Sequence, residues 1–176
     1  SKAIEILDLA SKEIPSSKYN DPRSLSSMVY GYIVAGQEQK GLQLAEQLKK
    51  DIFQEYDYYL SLSHYEQQFV KKQMGSQPIL YSIVVGSVSN AYKKIGKEDK
   101  AYDYLVKSIT PIDKRFNNFI KDLDALGKEK AYDEAENVKK ITPFYSYLFE
   151  VMKPYDSTYA KEKEAEITRK LMEATK

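Results

Sequence analysis

Closely spaced carboxylates are the residues of this chain of 176 amino acids whose types come nearest to catalytic chemistry. Asp122 with Asp124, and Glu134 with Glu136, are pairs of the kind that cleave glycosidic bonds, where one group protonates the leaving oxygen while the other attacks or activates water. Residues two apart on a helix point in different directions. Neither pair can therefore flank one bond unaided, and solvated helix faces explain them better.

The sequence lacks the residues that a metal site or a catalytic nucleophile needs. His64 is the single histidine and there are no cysteines, so a multi-histidine metal site, a histidine-centred triad and a thiolate nucleophile are all incomplete. The glycines are dispersed and follow helical patterns, which argues against a glycine-rich phosphate loop. The sequence therefore predicts no catalytic residue, no cofactor and no metal, and a domain that is not itself an enzyme.

Tyrosine is the unusual residue, with 16 copies against no tryptophan. Tyr56, Tyr58, Tyr59 and Tyr65 lie close together and, with Asn90, make up the predicted interaction surface. Tyrosine offers a flat apolar face and a polar tip, which suits a groove that grips a peptide or stacks on sugars. The alternative is that tyrosines fill helix interfaces with the hydroxyl at the edge, which helical spacing alone would produce.

The charge balance limits the partners. The chain carries 27 basic and 26 acidic side chains, so it lacks the unbalanced, clustered Lys and Arg that phosphate backbones require. We therefore expect a protein or peptide partner, or a glycan, and no nucleic acid. No apolar run approaches the roughly 20 residues needed to cross a bilayer, and the chain as given is predicted to be soluble.

The segments that must position these residues have apolar residues at the period of an α-helix, with small residues along one edge. Steps of 4, 7 and 11 residues from Ala3, Gly41, Ala101 and Ala131 give four stripes at the 3.6-residue period. Two of these stripes share their upstream residues at a separation of 60 positions, as between 32 and 92. The repeat positions are Tyr32, Gly36 and Gly41 in one copy and Tyr92, Gly96, Ala101 and Leu105 in the other.

Each of these two runs predicts a helical hairpin. Gly36 and Gly96 permit the left-handed conformation that ends a first helix, and the following residues begin an antiparallel second helix. At Gly41 or Ala101 a larger side chain would hold the two backbones apart. We expect the tyrosine near the end of each first helix to lie over that small residue.

This pattern of Tyr, Gly and Ala, with Pro111 closing the second unit, resembles the tetratricopeptide repeat. The resemblance implies an all-α fold, an α-α superhelix of antiparallel helical hairpins. Extra helices outside the repeat must intervene, because 60 residues is not a multiple of the usual period of about 34. The first full unit would run from Leu25 to Ile52, and Ala3 to Pro15 would be the second helix of a unit that has lost its first.

Helical patterns cover the remainder and bring the predicted total to about nine or ten helices. The extra helix is predicted over Tyr56 to Gln73, and Pro78 begins the next hairpin. A further stripe after Pro111 ends at Gly127, and the last helix spans Ser157 to Ala174.

The organisation predicted from these patterns is one domain over residues 1–176. Tetratricopeptide-like hairpins would occupy residues 1–110, and additional helices residues 111–176. Because the first helix of the first unit is missing, we expect the chain to be a fragment of a longer one.

Longer stretches carry a second resemblance. The runs SKAIEILDLASKEIPSSKY, MVYGYIVAGQEQKGLQLAEQLKKD and EYDYYLSL resemble the soluble C-terminal region of a bacterial family of multi-pass membrane proteins, whose membrane part resembles protein O-mannosyltransferases. The resemblance implies a glycosyltransferase-like parent with this piece on its extracytoplasmic, periplasmic side. Transferase chemistry, and any contact with the membrane, would belong to the missing part of that parent.

The sequence thus predicts a non-catalytic protein-interaction or scaffolding domain. Two alternatives stay open: a glycan-binding or glycan-processing domain with Tyr-rich and acidic surfaces, and an oligomerisation element, since an incomplete hairpin leaves one side uncovered. By analogy with the repeat family, first-helix residues would line a concave face. The candidates for that lining are Leu25, Met28, Val29, Tyr32, Ile83, Ser87, Asn90 and Tyr92.

Overall fold

A computed structural model of the protein describes residues 2–13, 22–74, 76–125 and 131–174. Every regular element in these ranges is an α-helix, which confirms the all-α prediction. The eight helices are α1 (Lys2–Glu13), α2 (Pro22–Val34), α3 (Glu38–Ser61), α4 (His64–Met74), α5 (Gln77–Lys94), α6 (Glu98–Ala125), α7 (Ala131–Met152) and α8 (Ser157–Ala174). None of these eight combines the length and the apolar character that crossing a membrane requires.

The chain divides into two compact units, residues 1–104 and residues 105–176. The predicted internal boundary, between residues 110 and 111, falls in the same helix, α6, as the observed division. The single-domain organisation stays a prediction.

The core of the first unit is built by three helices that pack against one another, α2, α3 and α5. Their apolar residues recur every three or four positions, so each helix presents one stripe to the other two. Each Val, Ile or Leu buried in this way contributes about 1.5–3 kcal/mol. The least exposed side chains of this core are Val29, Ile33, Ala45, Tyr81, Val84, Val85, Val88 and Ala91.

Both predicted hairpin turns are confirmed. Gly36 and Gly96 have φ angles of +83° and +73°, the left-handed region that a helix-ending glycine adopts. The N–H of the residue after each glycine donates to the carbonyl of Tyr32 at 2.8 Å in one turn and of Tyr92 at 2.9 Å in the other. These bonds satisfy carbonyls that the helix end would otherwise leave open.

The close approach at Gly41 is also confirmed, although its partner differs from the prediction. A Cβ atom at Gly41 would lie 2.6 Å from Ile33 Cγ1 and 3.0 Å from the Val29 carbonyl oxygen. The residue on α2 that fills this contact is therefore Ile33. The Tyr32 hydroxyl donates to Asp8 of α1.

The predicted extra helix over Tyr56 to Gln73 was wrong in its bounds. Helix α3 continues past Ile52 to Ser61, and α4 begins only at His64. The buried stripe of α3 extends through Phe53 and Tyr56, so the second helix of the hairpin gains core contacts by growing longer.

Pro111 does not close the second hairpin, contrary to prediction, because α6 runs through it to Ala125. Proline inside a helix costs about 3 kcal/mol. An uninterrupted apolar stripe crosses it, with Ile109, Ile112 and Phe116 each at most 1% exposed, and burial of this stripe offsets the cost. Two helices predicted separately are thus one, which lowers the helix count.

The second unit contains α7, α8 and the part of α6 from residue 105 onwards. Its core holds Phe144, Leu148 and Met152 from α7, all fully buried. The last helix, α8, has the predicted bounds. Asp156 begins it by accepting the N–H groups of Thr158 and Tyr159 at 3.0 and 2.9 Å.

The turn at Gly36 gives a first test. A Cβ there would meet no atom within 4 Å, so Gly36→Ala adds only backbone strain and should lower the free energy of unfolding by roughly 1–2 kcal/mol. Gly36→Asn should lower it less, because asparagine tolerates the left-handed region. Urea denaturation followed by circular dichroism measures both values. Equal stability of Gly36→Ala and the unaltered chain would contradict the turn.

Candidate interaction surface

The tyrosines of the predicted interaction surface separate into buried and exposed residues. Tyr56 on α3 is 3% exposed and belongs to the core, and Tyr59 is half-buried. Tyr58 and Tyr65 are 59% and 70% exposed, and Asn90 on α5 is exposed as well. Tyr56 therefore does not contribute to an exposed surface, because the long α3 turns its position toward the core.

Two exposed aromatic rings on α4, Tyr65 and Phe69, form what we name the aromatic pair. Their centroids are 4.9 Å apart with planes at 71°, an edge-to-face contact that adds about 0.5–1.5 kcal/mol between such rings. Phe69 is 71% exposed, close to the value for Tyr65. The two rings stabilise each other in one arrangement, which gives α4 a preformed apolar patch.

Helix α4 leaves this aromatic pair exposed while it buries a polar side chain. Gln67, between the two aromatics, is 7% exposed, and its Nε2 donates to the Leu62 carbonyl at 3.0 Å. Helix α4 packs against α3, so an amide lies on the inner side while aromatic rings point outward. A surface helix ordinarily shows the opposite pattern. Exposed apolar patches of this kind mark interaction sites.

The start of α4 is fixed by a capping box that the sequence carries as Ser-His-Tyr-Glu. The Ser63 hydroxyl donates to Glu66 Oε2 at 2.6 Å, and the Ser63 N–H donates to the same oxygen at 2.9 Å. The Glu66 N–H donates back to Ser63 Oγ at 3.3 Å. The bonds from the Ser63 hydroxyl and N–H also lower the pKa of Glu66. This S-x-x-E signal marks the helix start that the spacing argument missed.

The remaining tyrosines of interest meet carboxylates on neighbouring helices, an arrangement that we name a tyrosine junction. In the first, Tyr32 of α2 donates its hydroxyl to Asp8 Oδ1 of α1 at 3.0 Å. Lys40 of α3 lies 3.0 Å from the same oxygen, and its Nζ is 5.7 Å from the centre of the Tyr32 ring. One carboxylate thus joins three helices.

A second tyrosine junction lies at the beginning of the second hairpin. Tyr92 of α5 donates its hydroxyl to Glu38 Oε1 of α3 at 3.0 Å, while Lys100 and Lys97 lie 2.7 and 3.0 Å from the same carboxylate. Hydrogen bonds from Lys100 and then Lys97 hold the pKa of Glu38 at about 2. Burial and the bond to Glu38 raise the pKa of Tyr92 to about 12.

These two junctions repeat with the 60-residue separation. Tyr32 and Lys40 become Tyr92 and Lys100, and in both copies the lysine Nζ lies 5.7 Å from the tyrosine ring centre. The carboxylate comes from α1 in the first junction and from α3 in the second. The two copies therefore share contacts between helices as well as sequence spacing.

A third tyrosine junction joins α3 to the first turns of α6. Tyr104 donates its hydroxyl to Glu46 Oε1 at 3.0 Å, and Lys49 lies 2.8 Å from the same oxygen and 4.6 Å from the centre of the Tyr104 ring. Burial lowers the pKa of Lys49, with the bond to Glu46 working against that shift. Burial and the Glu46 carboxylate raise the pKa of Tyr104.

The second unit has its own tyrosine junction. Tyr145 of α7, 2% exposed, donates its hydroxyl to Asp113 Oδ1 of α6 at 2.7 Å, and Lys163 of α8 lies 3.0 Å from the other oxygen. Phe116 packs edge-on against the Tyr145 ring, with centroids 5.8 Å apart. Burial and the bond to Asp113 raise the pKa of Tyr145.

The hydroxyls of Tyr92, Tyr104 and Tyr145 act as hydrogen-bond donors to carboxylates. Burial and these carboxylates raise the pKa values of the three phenols, which are protonated at neutral pH. The junctions orient helices, and the packing alternative for Tyr32 and Tyr92 is the arrangement observed.

Of the residues considered for catalysis, Asp122 has a described side chain, which is exposed on α6. The side chains of Asp124, Glu134, Glu136 and His64 lie outside the described part. Among the side chains that the structure describes, no three His, Asp or Glu form a group that could hold a metal ion.

A concavity of about 750 Å³ follows the outer side of α3 in the first unit. Its described lining comes from a single helix, so it is an open face and not an enclosed pocket of the kind that buries a small ligand. The lining residues are Glu38, Gln39, Leu42, Gln43, Glu46, Gln47 and Lys50.

The residues predicted to line a concave face are largely core residues. Leu25, Met28, Val29, Tyr32 and Tyr92 are all buried, whereas Ile83 and Ser87 are half-buried and Asn90 is exposed. The accessible positions of α2 recur on α5 at the 60-residue separation. They lie on a side of each helix next to the buried residues. These positions are Arg23, Ser27, Tyr30 and Val34 on α2 and Ile83, Ser87, Asn90 and Lys94 on α5.

Comparison with protein-family models, with curated proteins and with solved structures found no match to this chain.

The second tyrosine junction predicts a pH dependence. The pKa of Glu38 in the folded chain, about 2, lies below its ordinary value of 4.5, so the stabilisation is complete above pH 4.5 and is lost as the pH falls toward 2. Because the junction is partly exposed, we expect it to contribute about 1 kcal/mol. Urea denaturation at several pH values should show Glu38→Gln less stable than the unaltered chain at pH 7, with the difference vanishing near pH 2.

The exposed Glu98 provides the matched control for this test. Glu98→Gln removes a carboxylate from the first turn of α6 without touching the junction, so its effect should be smaller at pH 7. A constant difference between Glu38→Gln and the unaltered chain at all pH values would contradict the assignment.

The tyrosine junction of the second unit predicts a loss of stability when the Tyr145 hydroxyl alone is removed and the ring is kept. Tyr145→Phe removes the buried hydroxyl that donates to Asp113 and should lower the free energy of unfolding by about 1.5–3 kcal/mol, as for a hydrogen bond to a charged group. Tyr147→Phe, at a position 41% exposed, is the control and should change little. Urea denaturation measures both, and equal effects of the two variants would refute the junction.

Proposed function

We propose that this chain is a helical-repeat module that binds a protein or peptide partner through the aromatic pair on α4. The observation that carries the proposal is the exposure of the aromatic pair, where Tyr65 and Phe69 are about 70% exposed while Gln67 of the same helix is buried. Leaving two aromatic rings in water forgoes roughly 25 cal/mol for each Å² of apolar surface that burial would remove. A partner that covers the pair recovers this energy.

The repeat geometry supports a tetratricopeptide-like array as the scaffold. The α2/α3 and α5/α6 hairpins share their glycine turns and their tyrosine junctions, 60 residues apart. Helix α2 packs on α3, and α5 packs on both, as consecutive hairpins of a stacked array would. The accessible positions that recur on α2 and α5 supply a second surface that the same partner can contact.

Helix α4 is the insertion that makes the separation 60 residues. Because α2, α3 and α5 contact one another directly, their packing does not require α4 between them. The exposed aromatics of α4 therefore serve something other than the scaffold, and binding is the role that fits their exposure.

The wider setting of this module is proposed from the sequence runs alone. Their resemblance to the C-terminal region of membrane proteins with an O-mannosyltransferase-like part supports a scaffolding tail on the extracytoplasmic side of such a protein. Any transfer of sugar would then take place in the membrane part. The module itself would select or hold the protein that is modified.

A glycan is the second candidate ligand, and one observation favours it. Exposed Tyr and Phe rings offer apolar faces with a hydroxyl at one edge, which suits sugar rings as well as a peptide. Titration of the chain with glycans and with captured proteins, each repeated with the variants below, separates the two.

The test is recovery of a partner from native membranes with the chain as bait. Tyr65→Ala combined with Phe69→Ala should abolish saturable recovery, because truncation of a central aromatic anchor typically costs more than 2 kcal/mol of binding. Tyr147→Ala, at a tyrosine of α7 that is 41% exposed, is the matched control and should leave recovery unchanged.

A photo-crosslinking residue placed at position 69 should label the same partner directly, whereas one placed at position 147 should not. Loss of recovery in the Tyr147→Ala variant, or unchanged recovery after removal of both rings, would contradict the proposal.

A further inference from the structure

Two exposed aromatic rings of the first unit each follow a glutamate by three positions. On α3 the two residues are Glu55 and Tyr58, and on α4 they are Glu66 and Phe69. Residues three apart on a helix are neighbours on its surface. Tyr58 is 59% exposed, Phe69 is 71% exposed, and both glutamates are exposed as well. We name these two arrangements the ring–carboxylate pairs.

Both glutamates are held in place by neutral donors. Glu55 Oε2 accepts a hydrogen bond from the side-chain amide of Gln77 on α5 at 2.6 Å. Glu66 Oε2 accepts the hydroxyl and the N–H of Ser63 in the capping box. Neither glutamate forms an ion pair within the part of the chain that the structure describes. Hydrogen bonds therefore orient the two carboxylates, and no described cation compensates their charge.

The sequence around the ring–carboxylate pairs is acidic. Residues 51–70 contain the acidic side chains Asp51, Glu55, Asp57 and Glu66 and no lysine or arginine. The chain as a whole is nearly balanced, with 27 basic and 26 acidic side chains. Negative charge is thus concentrated in the segment that carries the exposed rings, and a partner of positive charge is complementary to it.

The tyrosine junctions show which group completes a ring and a carboxylate in this protein. In the first two junctions a lysine Nζ lies 3.0 or 2.7 Å from a carboxylate oxygen and 5.7 Å from the centre of a tyrosine ring. In the third, Lys49 contacts Glu46 and the Tyr104 ring in the same way. The ring–carboxylate pairs have the ring and the carboxylate, but no cation of the described part lies over Tyr58 or Phe69.

We propose that the ring–carboxylate pairs bind arginine or lysine side chains in a basic segment of the partner protein, an assignment that rests on the function proposed above. The aliphatic stem of such a side chain covers the ring while its charged end reaches the carboxylate. The positive charge is also attracted to the face of the ring. One partner side chain thus uses both members of a pair.

An apolar partner side chain fits these positions less well. It would cover the rings but also remove water from Glu55 and Glu66 without supplying a positive charge. An unpaired carboxylate is costly to desolvate. A cationic side chain compensates the charge while it covers the ring, so the acidic surroundings favour a basic segment over an apolar one.

The first test titrates a labelled peptide, in which arginine alternates with glycine, with the full chain up to about 1 mM and follows fluorescence anisotropy. The matched probe replaces every arginine by citrulline, which keeps the planar shape and removes the charge. We expect saturable binding of the arginine peptide and about tenfold weaker binding of the citrulline peptide. Equal affinities, or no binding of the arginine peptide, would overturn the assignment.

Variants of the chain separate the ring–carboxylate pairs from general attraction to negative charge. Glu66→Gln and Phe69→Leu should each weaken the arginine peptide by about threefold to tenfold, because one removes the counter-charge and the other the ring. Glutamine also serves in a capping box, so Glu66→Gln keeps the start of α4. Glu98→Gln removes an exposed carboxylate of α6 and should change the affinity less than about twofold. Equal losses in Glu66→Gln and Glu98→Gln would overturn the assignment.

The recovery experiment distinguishes this assignment from the proposed function. Glu55→Gln combined with Glu66→Gln should reduce recovery of the partner, since both counter-charges are removed. Unchanged recovery in that variant, with recovery lost after removal of Tyr65 and Phe69, would retain the proposed function and overturn the basic segment as its ligand. Unchanged recovery after removal of both rings would overturn both.

Discussion

The hydrogen bond from a tyrosine hydroxyl to a carboxylate on another helix is the interaction on which this structure depends. Tyr32, Tyr92, Tyr104 and Tyr145 each make one, and in each case a lysine shares the carboxylate. The ring fills the space between helices while the hydroxyl reaches the edge, where the carboxylate keeps part of its hydration. A tyrosine thus contributes burial and direction from one side chain, which suits packing without tryptophan or disulfides.

This arrangement also explains why so polar a chain can pack closely. In the first two junctions the charged partners stand at the partly exposed rims, so these ion pairs escape the full desolvation penalty of a buried pair. Lys100 and Lys97 are the main causes of the low pKa of Glu38, and burial is the main cause of the raised pKa of Tyr92. The hydrogen bond between the two residues adds to both shifts, because a hydroxyl that donates to a carboxylate stabilises the charged acid and disfavours the phenolate. These tyrosines therefore stabilise the packing of one helix on another.

The tyrosines of the junctions stabilise helix packing, whereas the aromatic pair on α4 is left exposed. The aromatic pair lies on α4, which packs against α3. Helices α2, α3 and α5 pack against one another and bury their apolar stripes. The two exposed rings therefore lie on a helix that the mutual packing of α2, α3 and α5 does not require.

The sequence by itself determined the all-α class, the two glycine turns and the bounds of the last helix, because these follow from local periodicity and from a backbone conformation that glycine adopts most readily. Only the tertiary structure decided that α3 extends through Tyr56 and that α6 passes through Pro111. In both places burial against other helices outweighs the local signal. It also decided which tyrosines are exposed, since Tyr56 and Tyr58 are alike in sequence and differ only in the side of α3 that other helices cover.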